Sequence, residues 1–158
     1  MKNIVLARID DRLIHGQVVT AWLKSVKVQS ILIIDDALSK NQVMQRIYKA
    51  SAPSNVNVFI KNTVDALEFL LSNEGDMDVM ILVKVPERLE ELISQNVPIK
   101  KIVLGGMGSG KERKQFVKNV FASESEVACL KRLMEKGIEI VFQLVPDDKP
   151  MDLQKVIK

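Results

Sequence analysis

The stretch Arg8-Ile9-Asp10-Asp11-Arg12-Leu13-Ile14-His15 places two guanidiniums, two carboxylates and the only imidazole of the chain within eight positions, and Gly16 comes directly after it. An imidazole beside a carboxylate such as Asp10 can have one ring nitrogen held as N–H while the other keeps its lone pair. Arginines nearby, and the positive end of a helix beginning at this point, disfavour imidazolium and keep the ring a neutral nucleophile near neutral pH. The same arginines, Arg8 and Arg12, offer planar donors matched to phosphate oxygens. The unpaired N–H groups of a helix start, approached closely over Gly16, make a ready anion site. These are the parts of a histidine that accepts a phosphoryl group. Two plainer readings use the same residues: solvated Arg/Asp pairs of little energetic weight, and aspartates holding magnesium. Zinc is poorly served, with no second histidine and no nearby cysteine.

A second unusual segment is Lys101-Ile-Val-Leu-Gly105-Gly106-Met107-Gly108-Ser-Gly110-Lys111-Glu112. It approaches the spacing of a nucleotide-binding P-loop, but Glu112 stands where a hydroxyl should hold magnesium, and a carboxylate there repels nucleotide phosphates. The residues after Lys111 read poorly as a long helix, and the segment does not have the first-strand position of a P-loop. The pair Asp35-Asp36 invites a cation site, yet neighbouring residues of an extended chain point apart. It reads better as the cap of the next helix. Cys129, the one cysteine, falls at a core position of an amphipathic pattern and reads as packing.

The elements that must position these residues are legible from periodicity. Short β-branched runs cover Asn3–Ala7, Ser30–Ile34, Asn57–Ile60, Asp78–Val83, Lys101–Leu104 and Glu139–Gln143, with Gln115–Phe121 a further candidate. Helical spacing covers Gly16–Ser25, Lys40–Ser51, Val64–Ser72, Pro86–Gln95 and Glu124–Lys136. Thr63 is the expected cap of the third helix, Pro86 suits a first turn, and Gly137 ends the last helix. The alternation predicts an α/β fold: an open, mostly parallel twisted sheet of six or seven strands with helices on both faces. Ligands of such sheets gather at the carboxyl ends of strands. Both unusual loops fall there, after the first strand and after the fifth.

Residues 1–158 read as a single domain, with no linker or repeat. Hydrophobic residues make up 47% and charged residues 27%, a balance of folded rather than disordered chains. The net charge of +3 is dispersed and aromatics are only 4%, which argues against a nucleic-acid partner. No apolar run approaches the roughly 20 residues of a membrane span. The N-terminal run Ile4-Val5-Leu6 is too short for a signal peptide, so a cytoplasmic location is expected. The tail Met151–Ile157 docks either on the body or on a neighbouring subunit of a homo-oligomer.

The motif Arg8-Ile-Asp-Asp-Arg-Leu-Ile-His15-Gly-Gln-Val resembles the active-site loop of IIB components in mannose/fructose/sorbose-family sugar phosphotransferase systems, a family that includes N-acetylgalactosamine transporters. The resemblance continues in order through Ile33-Ile34-Asp35-Asp36, Ala52-Pro53-Ser54, Val97-Pro98-Ile99-Lys100 and Gly105-Gly106-Met107. It implies a cytoplasmic phosphocarrier, associated peripherally with membrane IIC and IID proteins. In such a carrier His15 takes phosphate on Nδ1 from a phosphohistidine of a IIA protein and passes it to a sugar held by those membrane components. By the same resemblance Arg8, Asp10 and Arg12 support His15. Gly16, Gly105, Gly106 and Met107 border the phosphate pocket, and no metal, nucleotide or organic cofactor is needed. Gly108 to Lys111 then form either a lip that receives partners or a plain surface turn. The competing class is a non-covalent phosphate- or nucleotide-binding regulatory module.

Overall fold

A computed structural model describes residues 2–72 and 75–157; Met1 of the N-terminal run lies outside them. The chain runs β1 (Asn3–Asp10), α1 (Gly16–Val26), β2 (Ser30–Ile34), α2 (Asp36–Ser39), α3 (Gln42–Ser51), β3 (Asn57–Lys61), α4 (Thr63–Leu71) and β4 (Asp78–Val83). It continues α5 (Pro86–Ser94), β5 (Lys101–Gly106), β6 (Lys114–Val117), β7 (Val120–Ala122), α6 (Glu124–Glu135), β8 (Glu139–Phe142) and β9 (Met151–Asp152). The main sheet has the order β3-β2-β4-β1-β5-β8-β9, parallel except for the short antiparallel β9.

Period-2 alternation within the buried strands sorts their side chains onto two cores. Leu32, Ile34, Val79, Ile81, Val83, Ile102 and Leu104 face the core covered by α4, α5 and α6. Ile31, Ile33, Met80, Leu82 and Val103 face the other, covered by α1 with Val19, Trp22 and Leu23. A register shift between Ile4 and Leu6 turns Val5 and Leu6 both toward the α1 side. Beyond it the alternation returns, so Ala7 and Ile9 enter the first core. Arg8 and Asp10, at the intervening positions, therefore lie beneath α1.

All six strands expected from the sequence are present, and four differences are informative. The expected helix Lys40–Ser51 begins at Gln42, because the Asn41 side chain accepts from Met44 N at 3.1 Å; a separate turn of helix, α2, precedes it. The Gln115–Phe121 run is a hairpin, β6 and β7, folded back at Lys118, whose φ is +50°. Asn62 rather than Thr63 caps α4, its carboxamide accepting from Asp65 N at 2.8 Å and placing Thr63 inside the first turn. The tail docks on the chain's own body: β9 pairs with β8, and Leu153 is fully buried.

Cys129 sits on α6 in the core opposite α1. Burial, with the charges of Glu90 and Glu87 adding to it, pushes its thiol up to about 12. A thiol so placed is inert. At mildly alkaline pH the native protein is expected to leave Ellman's reagent unreacted, and the same protein in denaturant to consume one equivalent. Rapid native reaction would contradict this packing.

Candidate active site

The loop after β1 and the loop after β5 meet because these two strands are hydrogen-bonded neighbours whose carboxyl ends coincide. Asp10 stands opposite Gly106, after a register shift beyond Ile9. Asp11 N donates to Gly106 O at 3.1 Å, so the chain leaves β1 already tied to the second loop. Asp10 O then accepts from Leu13 N at 2.9 Å, closing a tight turn. The turn forces Leu13 to φ +57°, the left-handed region, which costs a side-chain-bearing residue roughly 1–2 kcal/mol. Its fully buried side chain in the α1 core holds it there. Gly16, at φ +47°, opens α1, and a Cβ at that position would meet nothing within 4 Å. Glycine is thus used here for its backbone angle, and space is left above the helix start.

At the centre is Asp10, fully buried. One carboxylate oxygen, Oδ1, accepts from Arg12 N at 3.1 Å and lies 3.5 Å from Arg12 Nε. The other, Oδ2, lies 3.4 Å from Arg8 Nη2 and 3.8 Å from His15 Nε2. His15 Nδ1 lies 3.4 Å from Leu13 O. His15 Nε2 is buried and makes no hydrogen bond among the described residues. The Leu13 carbonyl only accepts, so that contact takes Nδ1 as N–H; an approach of Nε2 to the Asp10 carboxylate, 3.8 Å away, instead fixes Nε2 as N–H and leaves Nδ1 with the lone pair.

The two arginines divide in function. Arg8 is 1% exposed and its guanidinium is tied inward: Nη1 donates to Gln143 O at 2.8 Å, and Nη2 to Leu144 O at 2.9 Å and to Asp10. Its guanidinium also lies over the Trp22 ring, 5.2 Å from the centroid. Burial pulls its pKa below the ordinary arginine value, with Asp10 opposing that shift. Arg8 is therefore bound to Asp10 and the loop after β8, with its guanidinium away from solvent. Arg12 is 53% exposed and holds its guanidinium at the surface beside Asp10. The α1 N-terminus carries no acidic residue in its first turn and no side-chain cap, so its amide groups face outward without a counter-charge.

The glycines have separate tasks. A Cβ on Gly105 would overlap the Arg8 guanidinium, so Gly105 is what lets Arg8 lie against β5. On Gly106 a Cβ would sit in ordinary contact, 3.4 Å from Asp10 Oδ1. Met107 departs from its expected place at the pocket: its side chain is 1% exposed and belongs to the core opposite α1, and it borders the loop by backbone alone, Met107 O accepting from Phe121 N at 2.8 Å. Beyond it Gly108 N donates to Asp11 Oδ2 at 2.7 Å, and the chain turns into the β6–β7 hairpin. No helix begins at Lys111, so the glycines do not form a phosphate cradle at a helix start. Asp35 caps α2, accepting from Leu38 N at 2.9 Å.

Sequence reading missed the loop after β8 and the side chains that anchor it. Trp22 Nε1 donates to the same Leu144 carbonyl as Arg8, at 2.9 Å, and Gln143 Nε2 closes that loop on Pro146 O and Asp148 O. Arg113, which reaches Asp11 from the hairpin, was missed as well. For the β8 loop the available signal was topological: β8 is a further strand whose carboxyl end must lie beside β5.

Residues 4–158 match the family described as the PTS system sorbose subfamily IIB component. The fructose-specific EIIB component of Bacillus subtilis is 31% identical over the whole of this chain and 98% of its own length. The mannose-specific EIIAB component of Escherichia coli is 30% identical over 98% of this chain, which spans 48% of that longer protein. Among solved structures, the IIBSor domain of the sorbose permease from Klebsiella pneumoniae superposes with a TM-score of 0.93 at 28% identity. That match covers 97% of this chain and 94% of the domain.

The contrast between the two glycines is testable by denaturant unfolding. Gly105→Ala is expected to lose about 1–3 kcal/mol, the usual cost of overpacking, because the Arg8 guanidinium is buried and moving it breaks its bonds to Gln143, Leu144 and Asp10. Gly106→Ala is expected to lose much less, and equal losses would remove Arg8 packing as the reason for Gly105.

Proposed function

The chain belongs to the sorbose subfamily of IIB components of the sugar phosphotransferase system, a family of phosphotransferases, and on that premise we propose that its phosphoryl group is carried on His15. The family role is to take phosphate from IIA and deliver it to a sugar through membrane IIC and IID components. The observation that supports this is the buried Asp10 carboxylate 3.8 Å from His15 Nε2: closing that gap fixes Nε2 as N–H and frees Nδ1 from the Leu13 carbonyl to act as the nucleophile. The one alternative nucleophile of the phosphocarrier type, Cys129, is buried on the far core with its thiol pushed up.

In the proposed step the Nδ1 lone pair attacks phosphorus in line, and the bond from phosphorus to the donor's ring nitrogen breaks. The transition state is loose and requires positioning and charge stabilisation more than a base. Asp10 balances the positive charge that develops on the His15 ring. Arg12 and the amide groups at the start of α1, over Gly16, meet the equatorial oxygens. Delivery reverses the roles: a sugar hydroxyl attacks phosphorus, the bond from phosphorus to Nδ1 breaks, the hydroxyl proton passes to solvent and His15 departs as neutral imidazole. Arg8, Gly105 and Gly106 hold Asp10 in place from behind. The partners are a phosphorylated IIA protein and membrane IIC and IID proteins holding the sugar. Among the described residues no helix is long and apolar enough to cross a membrane. In this reading the chain works in the cytoplasm and meets the transporter at its surface. Residues 1–158 act as a single carrier domain.

Incubation with a phosphorylated IIA protein is expected to give an acid-labile, base-stable label that His15→Ala lacks; label retained in that variant would overturn the carrier assignment. Arg12→Ala is expected to slow transfer more than tenfold, a barrier increase above about 1.4 kcal/mol. Because Arg12 is half exposed and surface pairs contribute little to folding, its melting temperature should stay near that of the unaltered protein. Transfer unchanged in Arg12→Ala would remove that residue from the phosphate site.

A further inference from the structure

Arg113 is the most fully engaged side chain outside the motif, and nothing in the proposed chemistry uses it. Its Nε and Nη2 form a two-pronged pair with Glu126, at 2.9 and 2.8 Å. Its Nη1 donates to Gly108 O at 2.9 Å and to Asp11 Oδ2 at 3.3 Å. That same Asp11 oxygen accepts from Gly108 N. The guanidinium is thus a bolt through three parts: the His15 loop, the glycine loop, and α6 on the opposite face of the sheet.

The anchor end is stiff. Ser123 caps α6 by accepting from Glu126 N at 3.1 Å, while Glu126 Oε1 accepts from Ser123 N at 2.9 Å, a reciprocal capping box. Burial alone would raise the Glu126 pKa, but the bonds from Arg113 and Ser123 outweigh it and hold the carboxyl below its usual range. The pair with Arg113 therefore stays ionic at neutral pH. The working end matters because Asp11 adjoins Asp10. The Asp10–His15 separation of 3.8 Å lies just beyond a hydrogen bond, so a few tenths of an ångström decide whether the carboxylate orients the ring. Between them lies the strained turn at Leu13, a conformation that persists only where its surroundings over-determine it.

We propose that Arg113 is a positioning residue for phosphoryl transfer, which locks the His15 loop through Asp11 so that Asp10 fixes the imidazole tautomer. The proposal rests on His15 as the carrier and adds a residue outside the motif. Glu126 and the α6 cap are the immovable end of the lock. Gly108 joins the clamp by its backbone, N–H to Asp11 and carbonyl to Arg113, and a Cβ there would press on Asp11 Oδ2 at 3.3 Å.

The test uses phosphoramidate, which needs no partner protein: the His15 nitrogen attacks phosphorus, the P–N bond breaks, and ammonia departs with the displaced proton. Labelling rates are compared in the unaltered chain, Arg113→Gln, Arg113→Lys, Asp11→Asn and the Asp11→Asn/Arg113→Gln double variant. As the chain has one histidine, imidazole nitrogen NMR shifts report its tautomer without overlap. Arg113→Gln is expected to label at least tenfold more slowly and to shift the ring away from the Nε2–H tautomer, with Arg113→Lys recovering part of both. The double variant is expected to be no slower than the slower single one, because both act through one contact. Should Arg113→Gln not fold, Asp11→Asn, which keeps its shape, decides by the same two readings. Unchanged tautomer and rate in whichever of these folds would overturn the proposal and leave the carrier assignment intact. Absence of label on His15 in the unaltered chain would remove the carrier assignment and this proposal together.

Discussion

A carboxylate with no exposure to water has to be compensated inside the protein, and at Asp10 that requirement shapes everything around it. Arg8 supplies a buried positive charge on one side, Arg12 a backbone N–H and an exposed guanidinium on the other. Arg8 in turn has more donors than one carboxylate can take. The surplus goes to the carbonyls of Gln143 and Leu144, which draws the loop after β8 against the site. Gly105 exists in its present form because the guanidinium occupies the volume of a side chain there. One buried ion pair thus accounts for the placing of three strand ends.

The same pair explains why the two arginines cannot be probed alike. Removing one partner of a buried pair costs about 3–5 kcal/mol, because the survivor is left charged and unpaired. A substitution at Arg8 therefore perturbs the fold and the proposed chemistry at once. Arg12 is half exposed, and its loss leaves Asp10 still neutralised by Arg8. The buried arginine carries the pairing that the fold needs, and the exposed one keeps its guanidinium at the surface.

The sheet, its layers and the convergence of the two loops were legible in the sequence because they derive from periodicity and from the order of strands and helices. His15, Asp10 and Arg12 were legible because unlike charges crowd a strand end. The division between Arg8 and Arg12 was not, since strand parity fixes which face a side chain takes but not what lies above it. Met107 was misplaced for a related reason: in an apolar residue beside glycines, the sequence carries no sign of whether the side chain points outward or into the core. Arg113 was hidden because its carboxylate partners stand 102 and 13 positions away, beyond any local pattern. The Ser123–Glu126 spacing that anchors it has the form of a capping box.

A group that receives phosphate from one protein and yields it to another has to keep one edge fixed and the opposite edge open. The ring of His15 meets both conditions by its position at the end of a strand and the start of a helix. Its Nε2 edge faces a buried carboxylate that Arg8 pairs from the interior. Its Nδ1 edge meets the Leu13 carbonyl at 3.4 Å beside a helix start without acidic residues, where no side chain closes over it at Gly16. An enclosed pocket would exclude a protein donor. If His15 carries the phosphate as proposed, an unheld ring would lose the tautomer that makes Nδ1 the nucleophile, and the buried charge on Asp10 would be the means by which a shallow surface site avoids that loss.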